Sequence, residues 1–133
     1  MTGSTHGERK KLLLIDDDEA VLDYLCIKLG GEFELITTTS ADDVLALMRE
    51  GRPDLVLCDI DLQSDADGMD GGDISVTLFS HEDTRHVPLL FLTSLASPTD
   101  LKASGNQLGG RSAISKQAPI EDIVARIRAS LAP

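Results

Sequence analysis

Two patterns of hydrophobic and polar residues alternate along the chain. Short continuous apolar runs, typical of strands buried on both faces, recur along the sequence, and most stop abruptly at a polar residue. Between these runs, apolar residues recur every three or four positions, which predicts amphipathic helices. The predicted strands are Lys11–Ile15, Phe33–Thr37, Asp54–Cys58, Val87–Leu92 and Ser112–Ser115.

The helical segments follow the strands in turn. Ser40 is a candidate N-cap for the second helix, and Pro119 opens the last one, whose apolar stripe is the clearest of the five. Strands that alternate with helices, and that read as continuous apolar runs, predict a doubly wound α/β domain with a five-stranded parallel sheet covered on both faces. The predicted helices span residues 19–29, 41–50, 73–80, 98–104 and 120–131.

Polar residues follow four of the five predicted strands. Ligands bind at the carboxyl ends of strands in open parallel sheets, so these residues are expected to share one edge. Crowded carboxylates repel one another unless a cation lies among them, and a few oxygen ligands with room for water suit Mg²⁺. A carboxylate can also accept a phosphoryl group, while a hydroxyl and a lysine stabilise the added charge. The residues are Asp16, Asp17 and Asp18, then Asp59 and Asp61, then Thr93, then Lys116.

Composition excludes several other classes of function. The 133 residues fit one domain, and the formal net charge of −11 argues against direct binding to nucleic acid or to an anionic membrane. No apolar run is long enough to span a membrane, and no signal peptide opens the chain. Cys26 and Cys58 are expected to be core thiols, and two cysteines indicate a reducing cytoplasm.

Five segments together resemble the receiver domains of two-component response regulators. The first is Leu12-Leu-Leu-Ile-Asp-Asp-Asp-Glu19, and the second is Pro53-Asp-Leu-Val-Leu-Cys-Asp59. Met69-Asp-Gly71, Leu90-Phe-Leu-Thr-Ser94 and Lys116 complete the pattern. The resemblance covers residues 10–132 and leaves residues 1–9 as a disordered tail.

The resemblance implies a flavodoxin-like sheet of order 2-1-3-4-5 and a role for each site residue. It also implies phosphoryl transfer from a histidine kinase or a histidine phosphotransfer protein, and a signal passed to a downstream effector protein or a second copy of the chain. Such a receiver is a phosphoacceptor switch rather than a turnover enzyme. The implied roles are phosphoacceptor for Asp59, Mg²⁺ ligands for Asp16, Asp17, Asp59 and the Asp61 carbonyl, and phosphoryl-binding switch residues for Thr93, Ser94 and Lys116.

The sequence departs from the family pattern in four places. Gln117 follows Lys116 where the family usually has proline, and Ala113 stands where the family often has an aromatic residue. The segment from Gln63 to Asp70 is longer than usual by about four residues. We expect no output domain within these 133 residues and expect another protein to supply the output.

Two alternatives remain open at this stage. Asp59 and Asp61 also fit the Asp-x-Asp motif of haloacid-dehalogenase phosphatases, although the pair at Asp16 precedes that motif instead of following it. A pseudo-receiver that only binds protein would explain the altered surroundings of Lys116. The acidic loop from Asp65 to Asp73 lacks the calcium-loop spacing, and the three histidines share no ligand spacing.

Overall fold

The structure, a computed structural model, describes residues 9–60, 71–94, 96–108 and 111–132. The predicted tail lies outside these residues except for Arg9, which donates a hydrogen bond to the Phe33 carbonyl at 2.8 Å. The predictions for Asp61, the long loop from Gln63 to Asp70 and His6 also lie outside them.

Six strands and five α-helices make up the described chain. The strands are β1 (Lys11–Ile15), β2 (Glu34–Thr38), β3 (Leu55–Asp59), β4 (Leu89–Thr93), β5 (Gln107–Leu108) and β6 (Arg111–Ser115). The helices are α1 (Glu19–Leu29), α2 (Val44–Gly51, preceded by a 3₁₀ segment at Ala41–Asp43), α3 (Gly71–Phe79), α4 (Pro98–Ala103) and α5 (Ile120–Leu131). None of these helices is long and apolar enough to cross a membrane.

The strands form one sheet in the order β2-β1-β3-β4-β6-β5. The first five strands in this spatial order, from β2 to β6, are parallel. Since β6 is the fifth strand of the prediction, this confirms the predicted fold class and strand order. The short strand β5 pairs antiparallel with β6 and was not predicted. It follows Gly105 and Asn106, whose backbones both have positive φ and turn the chain back along the edge of the sheet.

Two hydrophobic cores lie on opposite faces of the sheet. In β1, Leu12 and Leu14 belong to the core beneath α1 and α5, whereas Leu13 and Ile15 belong to the core beneath α2, α3 and α4. Successive strand residues point to opposite faces, so a strand covered on both sides must be apolar throughout. This is why the strands read as continuous runs in the sequence.

Cap residues mark where three of the helical segments begin. Ser40 accepts a hydrogen bond from the Asp42 amide at 3.3 Å, although it caps the 3₁₀ segment that leads into α2. Ser97 and Asp100 form a capping box at α4, and Pro119 is the N-cap residue of α5. The predicted helix starts at Ser40 and Pro119 are therefore confirmed.

Strand ends differ from the prediction by one or two residues. Asp59 and Thr93 are the last residues of β3 and β4, so the sheet itself holds two of the predicted site residues. The strand β4 begins at Leu89 because Val87 still belongs to a turn, in which its amide donates to the Thr84 carbonyl. Cys58 is a core thiol as predicted, whereas Cys26 is only partly buried.

The C-terminus of α2 contains a strained residue. Arg52 follows Gly51 and has φ 49° and ψ 58°, a left-handed conformation in which helices usually place glycine. We expect Arg52→Gly to raise the free energy of unfolding by about 0.5–1 kcal/mol, because relief of the left-handed strain exceeds the added flexibility of glycine in the unfolded chain. Urea denaturation measures this, with Arg52→Ala as the control that keeps the strain. A lower midpoint for Arg52→Gly would contradict it.

Candidate functional site

Four parallel strands end at the same edge of the sheet, and each brings one polar residue there. Asp59 and Thr93 end β3 and β4, while Asp16 and Lys116 directly follow β1 and β6. The sheet register places these strand ends side by side, since Ile15 pairs with Cys58, Asp59 with Leu92 and Thr93 with Ser115. The candidate site therefore lies at the carboxyl edge of the sheet, as predicted.

Three carboxylates form a cluster at this edge. Asp16, Asp17 and Asp59 each offer an oxygen atom, and these atoms all lie within 4.8 Å of one another. Asp16 and Asp59 are 1% and 2% exposed, whereas Asp17 is exposed to solvent. Two carboxylates of the cluster thus lie within the protein, and the third, Asp17, faces water.

The turn after β1 holds Asp16 in place. The Asp18 amide donates to Asp16 Oδ1 at 2.9 Å, and the Asp16 amide donates to the Thr38 carbonyl of β2 at 3.2 Å. Asp18 is not one of the three clustered carboxylates, because its side chain accepts from the Ala20 amide and caps α1. The structure therefore shows Asp18 as the start of a helix and not as a member of the site.

Lys116 joins the two buried acids. Its Nζ lies 2.9 Å from Asp16 Oδ2 and 3.4 Å from Asp59 Oδ1. Burial alone would lower the pKa of Lys116, but the contacts with Asp16 and Asp59 outweigh it and raise the pKa above its ordinary value. Lys116 is therefore a fixed ammonium group between two carboxylates.

The donor set of the cluster is suited to a small divalent cation. Asp16 Oδ2 is buried, and the charged group that faces it within the described residues is Lys116 Nζ, at 2.9 Å. Carboxylate oxygens are the ligands that Mg²⁺ prefers, and the exposed side at Asp17 leaves room for the water molecules it retains. Asp16, Asp17 and Asp59 could together hold such an ion.

The remaining predicted residues border this cluster. Thr93 is buried on the strand between Asp59 and Lys116, and its carbonyl accepts a hydrogen bond from the Lys116 amide at 2.8 Å. Ser94 follows it and is exposed. Ala113 is fully buried and pairs with Phe91. At this position, where the family often has an aromatic residue, the chain has only a methyl group within the core.

Sequence reasoning missed a buried polar residue beside Lys116. Ser115 is 1% exposed, and its Oγ accepts a hydrogen bond from the Gln117 amide at 3.0 Å. The available signal was a small polar residue at the end of an apolar strand, directly before the lysine of the site.

The chain belongs to the response regulator receiver domain family, whose profile matches residues 12–128. It is 34% identical over 124 residues to the DNA-binding response regulator MtrA of Mycolicibacterium paratuberculosis. That match covers 92% of this chain and 52% of the relative, so the chain spans about half the length of the curated relatives it matches first.

Solved structures agree with this family. The BeF₃-activated N-terminal receiver domain of Klebsiella pneumoniae RstA has a TM-score of 0.74 and 28% identity, covering 93% of this chain and all of that one. A CheY-like receiver domain protein from Methanospirillum hungatei JF-1 has a TM-score of 0.72 and 26% identity, covering 93% of this chain and 94% of that one. The predicted resemblance is thereby confirmed.

Removal of the Lys116 charge should leave two buried carboxylates without their counter-charge. We expect Lys116→Met to lower the free energy of unfolding in EDTA by about 1–3 kcal/mol at pH 7. Because the pKa of Lys116 is raised in the folded protein, its stabilising effect is complete below the ordinary lysine pKa of about 10.4 and is lost as the pH rises through the folded value. Urea denaturation of both proteins from pH 7 to 11.5 measures this, and a gap that widens above pH 10.4 would contradict it.

Proposed function

We propose that this chain is a phosphorylation-controlled switch in a two-component phosphorelay, with Asp59 as the phosphoacceptor. The observation that carries the proposal is the arrangement of Lys116 across Asp16 and Asp59, with Asp17 beside them on the open side. Such a site has a carboxylate nucleophile, a fixed cation and further carboxylates for a metal ion at one strand edge.

The chemistry follows from these groups. A carboxylate oxygen of Asp59 attacks the phosphorus atom of a phosphohistidine, the phosphorus–nitrogen bond breaks, and the imidazole nitrogen takes a proton from solvent. Lys116 neutralises charge that develops on the phosphoryl oxygens. Asp16, Asp17 and Asp59, with the Asp61 carbonyl as a further ligand, would hold Mg²⁺, which supplies additional positive charge at those oxygens.

The surface next to the site supports docking of a phosphodonor. On α1, the large side chain of Tyr24 is 48% exposed. A cavity of about 230 Å³ opens between α1 and α5, and it is lined by Ala20, Tyr24 and Lys116, among others. An apolar side chain of a histidine kinase or a histidine phosphotransfer protein fits there, beside the residue that receives the phosphoryl group.

The signal depends on residues that approach the new phosphoryl group. Thr93 and Ser94 would donate hydroxyl hydrogen bonds to it, and Lys116 would shift from Asp16 towards it. The resulting change of surface would be read by a downstream effector protein or a second copy of the chain in the cytoplasm. Because Ala113 carries no ring, this switch would work through Thr93, Ser94 and Lys116 without an aromatic residue.

A small phosphodonor tests the acceptor directly. With acetyl phosphate and Mg²⁺, we expect the intact protein to gain the mass of one phosphoryl group, and Asp59→Asn to gain none. Asp54→Asn is the matched control, because Asp54 precedes β3 at the opposite edge of the sheet and should leave phosphorylation unchanged. Intact-protein mass spectrometry measures the adduct.

The alternative functions give different results in the same experiment. No adduct on the wild-type protein would indicate a pseudo-receiver, and an adduct that persists in Asp59→Asn would place the acceptor elsewhere. Steady release of phosphate from a phosphomonoester would favour a phosphatase, a function that no comparison supports and that family membership argues against.

The carboxylate cluster should respond to Mg²⁺ through its charge. We expect saturating Mg²⁺ to raise the melting temperature of the wild-type protein, since an ion that binds only the folded state stabilises it by about 2.7 kcal/mol at one hundred times its dissociation constant. Asp17→Asn should raise the metal-free melting temperature, because it removes like-charge repulsion, and should weaken the response to Mg²⁺. Thermal denaturation in EDTA and in Mg²⁺ measures both, and an unchanged Mg²⁺ response in the variant would contradict this.

A further inference from the structure

We infer that Ser115 is a positioning residue that holds the turn carrying Lys116 and so sets the rate of phosphoryl transfer to Asp59. The inference rests on the proposed function and deepens it. It assigns a role to a residue that contacts neither the carboxylate cluster nor the phosphoryl group. The feature that carries it is a pair of hydrogen bonds from the turn to the two oxygens of Ser115.

The turn spans residues 115–118, with Lys116 as its second residue. The Ala118 amide donates to the Ser115 carbonyl at 3.0 Å, which closes the turn. The Gln117 amide donates to Ser115 Oγ at 3.0 Å, and the Lys116 amide donates to the Thr93 carbonyl at 2.8 Å. All three backbone amides after Ser115 are therefore directed to fixed acceptors.

Ser115 itself is well placed to act as an anchor. It is 1% exposed, it is the last residue of β6, and it pairs with Thr93, which is fully buried. Gln117, in contrast, is exposed, so its contribution to the turn is its backbone amide. The hydroxyl of Ser115 thus fastens the exposed part of the turn to the buried end of β6.

The position of this turn matters because Lys116 reaches across the sheet. Neighbouring strands lie about 4.8 Å apart, and Asp59 and Asp16 belong to the second and third strands from β6. Lys116 Nζ nevertheless lies within 3.4 Å of both carboxylates, with its side chain extended over the end of β4. A turn that moved by about 1 Å would weaken these contacts and could slow the chemistry considerably.

The residue after Lys116 explains why a hydroxyl is needed in this chain. A proline at position 117 would have no backbone N–H and a fixed φ, so it would restrain the turn without any acceptor. Gln117 has neither property, so its φ is unrestrained by a ring and its amide is able to donate to an acceptor at the buried end of β6. Ser115 Oγ supplies that acceptor and limits the freedom of the turn.

The experiment compares four substitutions in the full chain. Ser115→Ala removes the hydroxyl, while Ser115→Thr and Ser115→Val are a nearly isosteric pair in which only threonine retains it. Ser112→Ala is the control, since Ser112 lies on the same strand and its hydroxyl accepts from Arg126 rather than from the turn. Amide hydrogen exchange of Gln117 reports the hydrogen bond, and the rate of adduct formation with acetyl phosphate reports the chemistry.

We expect Ser115→Ala and Ser115→Val to lose protection of the Gln117 amide and to be phosphorylated about three- to tenfold more slowly. Ser115→Thr should restore both, and Ser112→Ala should change neither. The Mg²⁺ concentration that gives the half-maximal rate should stay the same or fall in Ser115→Ala and Ser115→Val, because a less firmly held Lys116 ammonium group competes less with the cation for Asp16 and Asp59. A purely structural role for Ser115 would instead disturb the carboxylates and raise this concentration.

Three results would overturn the inference. One is an unprotected Gln117 amide in the wild-type protein, and another is an unchanged phosphorylation rate in a Ser115→Ala protein that has lost this protection. A slower rate accompanied by a raised Mg²⁺ requirement would assign Ser115 to general packing. If the wild-type protein accepts no phosphoryl group, the proposed function fails together with the inference, and the exchange measurement, which uses no phosphodonor, separates that case from the others.

Discussion

The ion pairs of Lys116 with Asp16 and Asp59 are the constraint on which the site depends. Two carboxylates that are almost completely buried would be costly at this separation without a nearby positive charge. Lys116 supplies that charge from a different part of the chain, across one intervening strand for Asp59 and two for Asp16. The arrangement is favourable only while the ends of β1, β3, β4 and β6 stay aligned, so the whole sheet contributes to the local electrostatics.

The two cores maintain this alignment. Leu14 and Leu57, which pair in the sheet, pack under α1 and α5, while Ile15 and Cys58 pack under the helices of the other face. A shift of register by one residue would exchange the faces of every strand side chain and move Asp16 away from Asp59. Apolar packing, which carries no chemistry, therefore sets the distances between the charged groups.

Much of this architecture could be predicted from the sequence because its signals are local. A strand buried on both faces must be apolar, and the polar residue that stops it marks the edge of the sheet, as Asp16 does after Ile15. The capping roles of Ser40 and Pro119 are local as well. The two-residue strand β5 could not be found in this way, because it depends on the positive φ of Gly105 and Asn106 and on pairing with β6.

The site was predictable as a set of residues but not as a geometry. Sequence spacing placed Asp16, Asp17, Asp59, Thr93 and Lys116 at strand ends, yet it did not reveal that Asp18 caps α1 while Asp16 points into the cluster. That difference rests on two hydrogen bonds, from the Asp18 amide to Asp16 and from the Ala20 amide to Asp18, which only the folded turn defines. Ser115 escaped notice for the same reason, since its role depends on the direction of the Gln117 amide.

The two departures around Lys116 are connected by this geometry. A buried alanine at position 113 leaves β6 without a large side chain that could move, so under the proposed function the response of β6 to a phosphoryl group would pass through the end of that strand. The end of β6 is the turn that Ser115 fastens, and its one charged group contacts Asp16 and Asp59. A phosphoryl group on Asp59 would compete with Asp16 for Lys116, and the rigidity of this turn would then determine how much of that competition reaches the surface of the protein.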